Sequence, residues 1–255
     1  MPDPSTSSCT TLRSLHQPPH TPLVLTNIWD VPSARAIASL PSCRALATAS
    51  YAIAIAHNTS DENLTPAQNL ASIASIAPVA KEFDKPLTAD IQDGYGERLE
   101  EVIGQLLDLG VAGCNLEDFD GARGEMYGAE EAAERVRRTM DVARSRGEGD
   151  FVVNARCDAL LHGGELGEVI ERGKAYLAAG ATAVFVWGSK RGVRTEEVAE
   201  MVQAFGGRLS VKLDFGGLSV RELAGMGVAR VSVGPSMQTR MMKALAEDAR
   251  ALLEY

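Results

Sequence analysis

One alternation runs through this chain and limits what it can become. From Pro22 onward, short apolar runs of strand length trade places with longer amphipathic runs of helical period. Eight short runs stand out, at 23–27, 44–48, 87–91, 113–117, 151–155, 183–187, 209–213 and 230–234. Between them the period predicts helices over 31–40, 66–83, 97–109, 129–146, 166–179, 195–205 and 220–226, and a last one over about 237–253. Thr65-Pro66 sets an N-cap before a proline at the first helical position, and Ser219 with Glu222 makes a capping box. Three helix-to-strand joins share one wording: Leu109-Gly110-Val111-Ala112-Gly113, Ala179-Gly180-Ala181-Thr182-Ala183 and Met226-Gly227-Val228-Ala229-Arg230. The glycine suits the left-handed residue that stops a helix before the chain turns into a strand. Repeated βα units mean parallel strands joined by right-handed crossovers, and eight of them predict an α/β fold of the TIM type, a parallel eight-stranded (β/α)8 barrel. An open doubly wound sheet is the competing architecture, weakened because no GxGxxG follows the first strand.

The 255 residues are the length of one such barrel, so residues 22–255 are assigned to a single catalytic domain. Residues 1–21 are rich in Ser, Thr and Pro and aperiodic, and are expected to form a disordered tail on a cytoplasmic protein. With 25 basic and 34 acidic residues the net charge is −9, which argues against nucleic acid or an anionic membrane as partner. It leaves room for a small anionic substrate held by a local metal or arginine. Cys9, Cys43, Cys114 and Cys157 have no CxxC spacing and are read as thiols in a reducing compartment, without disulfides or zinc.

In a barrel of this kind the chemistry sits at the carboxyl ends of the strands. Those ends are polar here: Asn27, Trp29 and Asp30; Thr48, Ser50 and Tyr51, then a long loop with His57, Asn58 and Asp61; Asp90, Gln92, Asp93 and Tyr95; Asn115, Glu117 and Asp118; Asn154, Arg156 and Asp158; Trp187, Ser189 and Lys190; Lys212 and Asp214. Each has an ordinary reading. Asp90-Ile-Gln-Asp93-Gly94 could be an Asx-rich turn, and Glu117-Asp118 could favour a helix N-terminus. Together, acids on the third and fourth strands beside an arginine on the fifth point to a divalent cation and a guanidinium that share a carboxylate or oxyanion.

NIWDVPSAR (27–35), ALATAS (45–50), ADIQDGYG (89–96), NLED (115–118), VNARCDAL (153–160) and LSVRELAGMGVARVSVG (218–234) occur in the order and at the spacing of the isocitrate lyase/phosphoenolpyruvate mutase superfamily, which the chain resembles from about Leu23 to its end. The small "phosphoenolpyruvate phosphonomutase-like" branch is the nearest in character. The resemblance implies a barrel that is usually tetrameric, often with its last helix exchanged between subunits. It implies Mg²⁺, with Mn²⁺ as a substitute, held near a small 2-oxo or 2-hydroxy acid whose C–C or C–P bond is made or broken through an enolate. By position, Asp90 matches the direct metal ligand. Gln92 and Glu117 match positions that hold the metal's waters, and Asp61 matches a metal-side acid. Ser50 and Tyr51 match the loop that cradles the substrate carboxylate, Arg156 matches the arginine on the oxyanion, and Trp29 and Asp30 line the pocket.

Two departures shape the expectation. Gln92 stands where the family has an acid, which lowers the site's negative charge. After strand four the family's lyases and mutases carry a loop with lysine and cysteine, whereas this chain has FDGARGEMYG over 119–128, without Cys, His or Lys. With three glycines that loop could serve as a mobile lid, and Tyr51, Glu125 and Tyr127 are the candidates for proton transfer. The expectation is a Mg²⁺-dependent lyase for a small carboxylate, with a C–P enzyme or an inactive oxo-acid binder as alternatives. The Ala-, Leu- and Met-rich last helix suits a homo-oligomer, a dimer or a tetramer.

Overall fold

Each of the eight apolar runs becomes a strand. The computed structural model describes residues 7–17, 21–188, 191–213 and 216–254. The strands are β1 (Leu23–Leu25), β2 (Leu46–Ala47), β3 (Leu87–Asp90), β4 (Gly113–Glu117), β7 (Val152–Cys157), β8 (Ala183–Val186), β9 (Leu209–Lys212) and β10 (Arg230–Ser232); β5 (Phe119–Asp120) and β6 (Glu125–Met126) form a separate small hairpin. All neighbours in the main sheet are parallel, in the order β1-β10-β9-β8-β7-β4-β3-β2. A bridge between Ile28 and Thr48 joins the two ends, with Ile28 N–H donating to Ala47 O at 2.8 Å, and so closes the barrel.

Helices α2 (Val31–Ala38), α4 (Pro66–Glu82), α5 (Leu99–Asp108), α6 (Ala129–Ser145), α7 (Leu166–Ala179), α8 (Thr195–Ala204) and α9 (Val220–Met226) pack outside the strands, and α10 (Ser236–Leu253) ends the chain. The expected caps are present at Thr65 and Ser219. Gly110, Gly180 and Gly227 all take positive φ at the joins that share their wording. Leu25, Val152, Val184, Val186, Val211 and Val231 are buried, as a strand set covered by helices requires. Alternate residues face the barrel interior, so Asn115 and Glu117, Asn154 and Arg156, Ser210 and Lys212, and Arg230 and Ser232 fall on one inner surface.

Three elements depart from the sequence reading. The first is in the expected tail, where Ser8–Ser14 forms helix α1, capped by Ser7, with Cys9 and Leu12 buried, and His16 is buried just beyond it. It packs against the start of β4 and against β7. A side chain at Gly113 would stand 3.1 Å from Leu12 Cδ2, and Arg13 and Thr10 reach Asp150. Seven residues are too few to display a helical period, and the burial comes from the seat that Gly113 leaves open.

The second is α3 (Ser50–Ala56), which occupies what reads as loop. Its Ala-Ile alternation imitates a strand, and its cap residue Ala49 makes no side-chain hydrogen bond. The third is the β5–β6 hairpin. It is tied down by Asp120, which accepts from the Ala122 and Arg123 amides, and by Phe119 stacked on His162 at 4.3 Å. The four cysteines are free thiols. Among the described residues no helix is long and apolar enough to cross a membrane.

Candidate active site

A cleft of about 550 Å³ opens at the carboxyl ends of the strands. Asp61, Asp90, Asn115, Arg156, Trp187, Lys212 and Arg240 give it its polar lining, with Ser50, Tyr51 and Phe185 beside them. Asp90 ends β3. Its Oδ2 accepts from the Ser50 backbone N–H at 3.0 Å and from Ser50 Oγ at 3.2 Å, while its Oδ1 is buried without a partner. The Ser50 amide is therefore turned to Asp90 and is not presented to a ligand. Asp61 sits on a single helical turn beside it. Burial, and then the charge of Asp90, push the Asp61 carboxyl up to about 6.

Arg156 anchors the opposite side. Its Nη1 donates to Glu117 at 2.6 Å and its Nε to Asp158 at 2.7 Å. Burial opposes its charge, but these two carboxylates raise its pKa above the ordinary value, so the guanidinium stays protonated. Burial pushes Glu117 well above the usual carboxylate range, while Arg156 pulls the other way. Trp187 lies 5.0 Å from the Arg156 guanidinium and 5.9 Å from Lys212 Nζ, within cation–π reach of both. The cleft thus has an acidic side on β3 and a cationic, aromatic side on β7 to β9.

The structure gathers Ser50, Tyr51, Asp61, Asp90 and Arg156 into this cleft and sets Glu117 against Arg156. Trp29 and Asp30 lie elsewhere. Trp29 is buried in a small cluster with Ala52, Ile53 and Leu64, and Asp30 caps α2 by accepting from Ser33 N. That cap is legible in the sequence as Asp-x-x-Ser ahead of a helix. Gln92 has positive φ and its Nε2 donates to Asp61 O at 2.7 Å and Asp61 Oδ1 at 3.1 Å, so its amide nitrogen holds Asp61. Tyr127 is buried away from the cleft and donates to Asp93 Oδ2 at 2.8 Å; Glu125 lies on the exposed hairpin. Of the three proton-transfer candidates, Tyr51 alone lines the cleft. Asp118 binds Tyr176 and the Asp158 amide, which joins β4 to the loop after β7. Ser189, Lys190 and Asp214 lie outside the described residues. Sequence reasoning missed Thr239 and Arg240, which the start of α10 brings to the rim, because nothing in the sequence signals where a terminal helix begins relative to the cleft.

The donor set suits a hydrated divalent cation. Asp90 Oδ1 is an orphaned buried carboxylate oxygen, and Asp61 and Glu117 both feel the charge of Asp90. Among the described residues no three His, Cys, Asp or Glu side chains converge enough to hold an ion alone. A cation such as Mg²⁺, which keeps several of its waters and takes only one or two carboxylates, fits that arrangement.

Comparison with known proteins agrees with the architecture. The phosphoenolpyruvate phosphomutase family model matches residues 12–253. An uncharacterized protein of Mycobacterium tuberculosis is 30% identical over 234 residues, covering 91% of this chain and 84% of its own. A solved structure from Burkholderia cenocepacia J2315, provisionally assigned as a phosphonomutase, superposes with TM-score 0.86 at 32% identity, covering 97% of this chain and 98% of the other. Oxaloacetate acetylhydrolase in complex with its product oxalate gives TM-score 0.86 at 25% identity, covering 98% and 88%.

Proposed function

The chain belongs to the phosphoenolpyruvate phosphomutase family, and from that premise we propose that it is a cytoplasmic, Mg²⁺-dependent lyase. Its substrate on this reading is a small 2-oxo or 2-hydroxy dicarboxylate, cleaved at a C–C bond. The observation that carries the reading is the buried, unpartnered Asp90 Oδ1 in the same cleft as the protonated Arg156. Asp90, with Asp61 and Glu117 near it, would hold Mg²⁺ or Mn²⁺, and the ion would supply a Lewis acid where negative charge develops on substrate oxygen.

The chain's own residues account for the rest. Arg156 has spent Nε and Nη1 on carboxylates, and its remaining donors serve the substrate carboxylate in a planar, fixed orientation. Phe185 and Trp187 wall that side with aromatic surface, and the lower polarity there would strengthen the Arg156 interaction. Cleavage of a 2-hydroxy acid takes the hydroxyl proton as the C–C bond breaks and leaves the electron pair as an enolate, which takes a proton at carbon; Tyr51, which lines the cleft, is our candidate to carry that proton from oxygen to carbon. Four free thiols fit a reducing compartment. The proposal includes a homo-oligomer assembled through α10, whose Met237, Met241, Met242 and Leu245 are exposed.

The test is to incubate the protein with oxaloacetate, malate-type acids and phosphonopyruvate, with and without Mg²⁺, and to follow products by proton and phosphorus NMR. Mg²⁺-dependent cleavage of a carboxylate substrate, reduced on the order of 10²-fold or more in Arg156→Gln, is the expected result. Turnover of phosphonopyruvate alone would make this a C–P enzyme. No turnover of any acid would leave a binding protein.

A further inference from the structure

Arg230 is wholly buried inside the barrel, and packing alone gives no reason for a charge there. Its Nη2 donates to Asn115 Oδ1 at 3.0 Å, while its Nε and Nη1 have no partner. His16, buried just beyond α1, offers it no negative charge, and the carboxylate whose charge favours it is Asp90 of the cleft. Asn154 Nδ2 donates to the same Asn115 oxygen at 2.8 Å. A guanidinium can only donate, so the Asn115 amide has one allowed orientation; the reverse would set its NH₂ group against Arg230. With both lone pairs of Oδ1 used inside the barrel, the Nδ2 hydrogens are left for the cleft that Asn115 lines. Asn115 is also the direct strand neighbour of Asp90.

We propose that Asn115 is a substrate-binding residue whose Nδ2 donates to an anionic oxygen of the 2-oxo acid, and that Arg230 and Asn154 are positioning residues that hold the amide in that orientation. The inference rests on the oxo-acid reading of the cleft and adds to it a neutral donor on the floor. Such a donor recognises oxygen next to the cation site without adding a charge that would repel the cation. Arg230 is wholly out of solvent, which keeps its hydrogen bond to Asn115 from competition with water.

The test uses the full-length protein with oxalate as probe, titrated calorimetrically at saturating Mg²⁺. Asn115→Asp keeps an acceptor for both Arg230 and Asn154, so the fold persists, but it presents oxygen to the ligand where the amide presents N–H. Oxalate affinity is expected to fall about tenfold or more while Mg²⁺ affinity does not fall. Arg230→Met should weaken oxalate severalfold with Mg²⁺ binding kept, and Arg230→Lys should restore part of the loss. If Asn115→Asp does not fold, Asn115→Ala carries the same expectation. Wild-type affinity for oxalate in a folded Asn115 variant overturns this inference and leaves the oxo-acid reading standing. Failure of the intact protein to bind oxalate overturns both.

Discussion

Asp90 and Asp93 stand in one acidic loop and serve different ends. Asp93 uses both carboxylate oxygens within the loop, accepting from the Tyr95 and Gly96 amides and from the Tyr127 hydroxyl. It is the Asx turn that the residue types allow. Asp90 keeps one buried oxygen unsatisfied and faces Asp61. Residue types alone could not separate these two readings, because the separation depends on which side of the strand end each carboxylate faces. Asp61 yields a test at this scale. Its folded pKa is raised to about 6, by burial first and the Asp90 charge second. A raised carboxylate gives stability that is complete below the ordinary carboxylate range and is lost as pH rises through about 6. A bound cation offsets that loss. Thermal unfolding is therefore expected to show Mg²⁺ raising the melting temperature by several degrees near pH 7.5 and hardly at all near pH 4.5. Asp61→Asn should flatten the difference. An equal Mg²⁺ effect at both pH values would refute this account of Asp61.

At the scale of elements, legibility followed length. Runs with a full period, such as α6 and α7, appear where their spacing puts them, and their ends agree with the expected bounds to within a residue. Short elements such as α1 and α3 have no period to show; α1 depends for its burial on the space left at Gly113, and α3 on Trp29 and Leu64. The hairpin at 119–128 illustrates the same limit. Its three glycines read as a hinge, yet Asp120 braces it from within through Arg123, and Phe119 and Tyr127 fasten it to His162 and Asp93, which are distant in sequence. The last helix is the opposite case. Its apolar residues are plain in the sequence and remain exposed, with only Gln238 buried, where it donates to Ala52 O at 2.9 Å. If α10 joins two copies, light scattering should find the intact protein larger than one chain. Met241→Glu with Leu245→Glu should shift it toward monomer. A monomeric intact protein would remove the oligomer from the proposal.

For the molecule as a whole, eight repeated βα units determine a barrel, and the barrel determines which residues can meet. Asp90, Asn115, Arg156, Lys212 and Ser232 are spread over more than half the chain and share one cleft because alternate residues of parallel strands face inward. Topology makes that convergence predictable from strand ends. The polar interior beneath it is not predictable in this way, since Arg230 opens a strand that otherwise reads as apolar core, and the link from Arg230 to Asn115 crosses the barrel. This convergence, we propose, forms a cation-assisted site for an oxo acid. Oxalate, which imitates the enolate of pyruvate, tests it most directly by calorimetric titration with and without Mg²⁺, on the intact protein and on Asp90→Ala. Binding is expected to require Mg²⁺ and to disappear in Asp90→Ala. Oxalate binding that is indifferent to Mg²⁺, or that survives Asp90→Ala unchanged, would contradict this proposal.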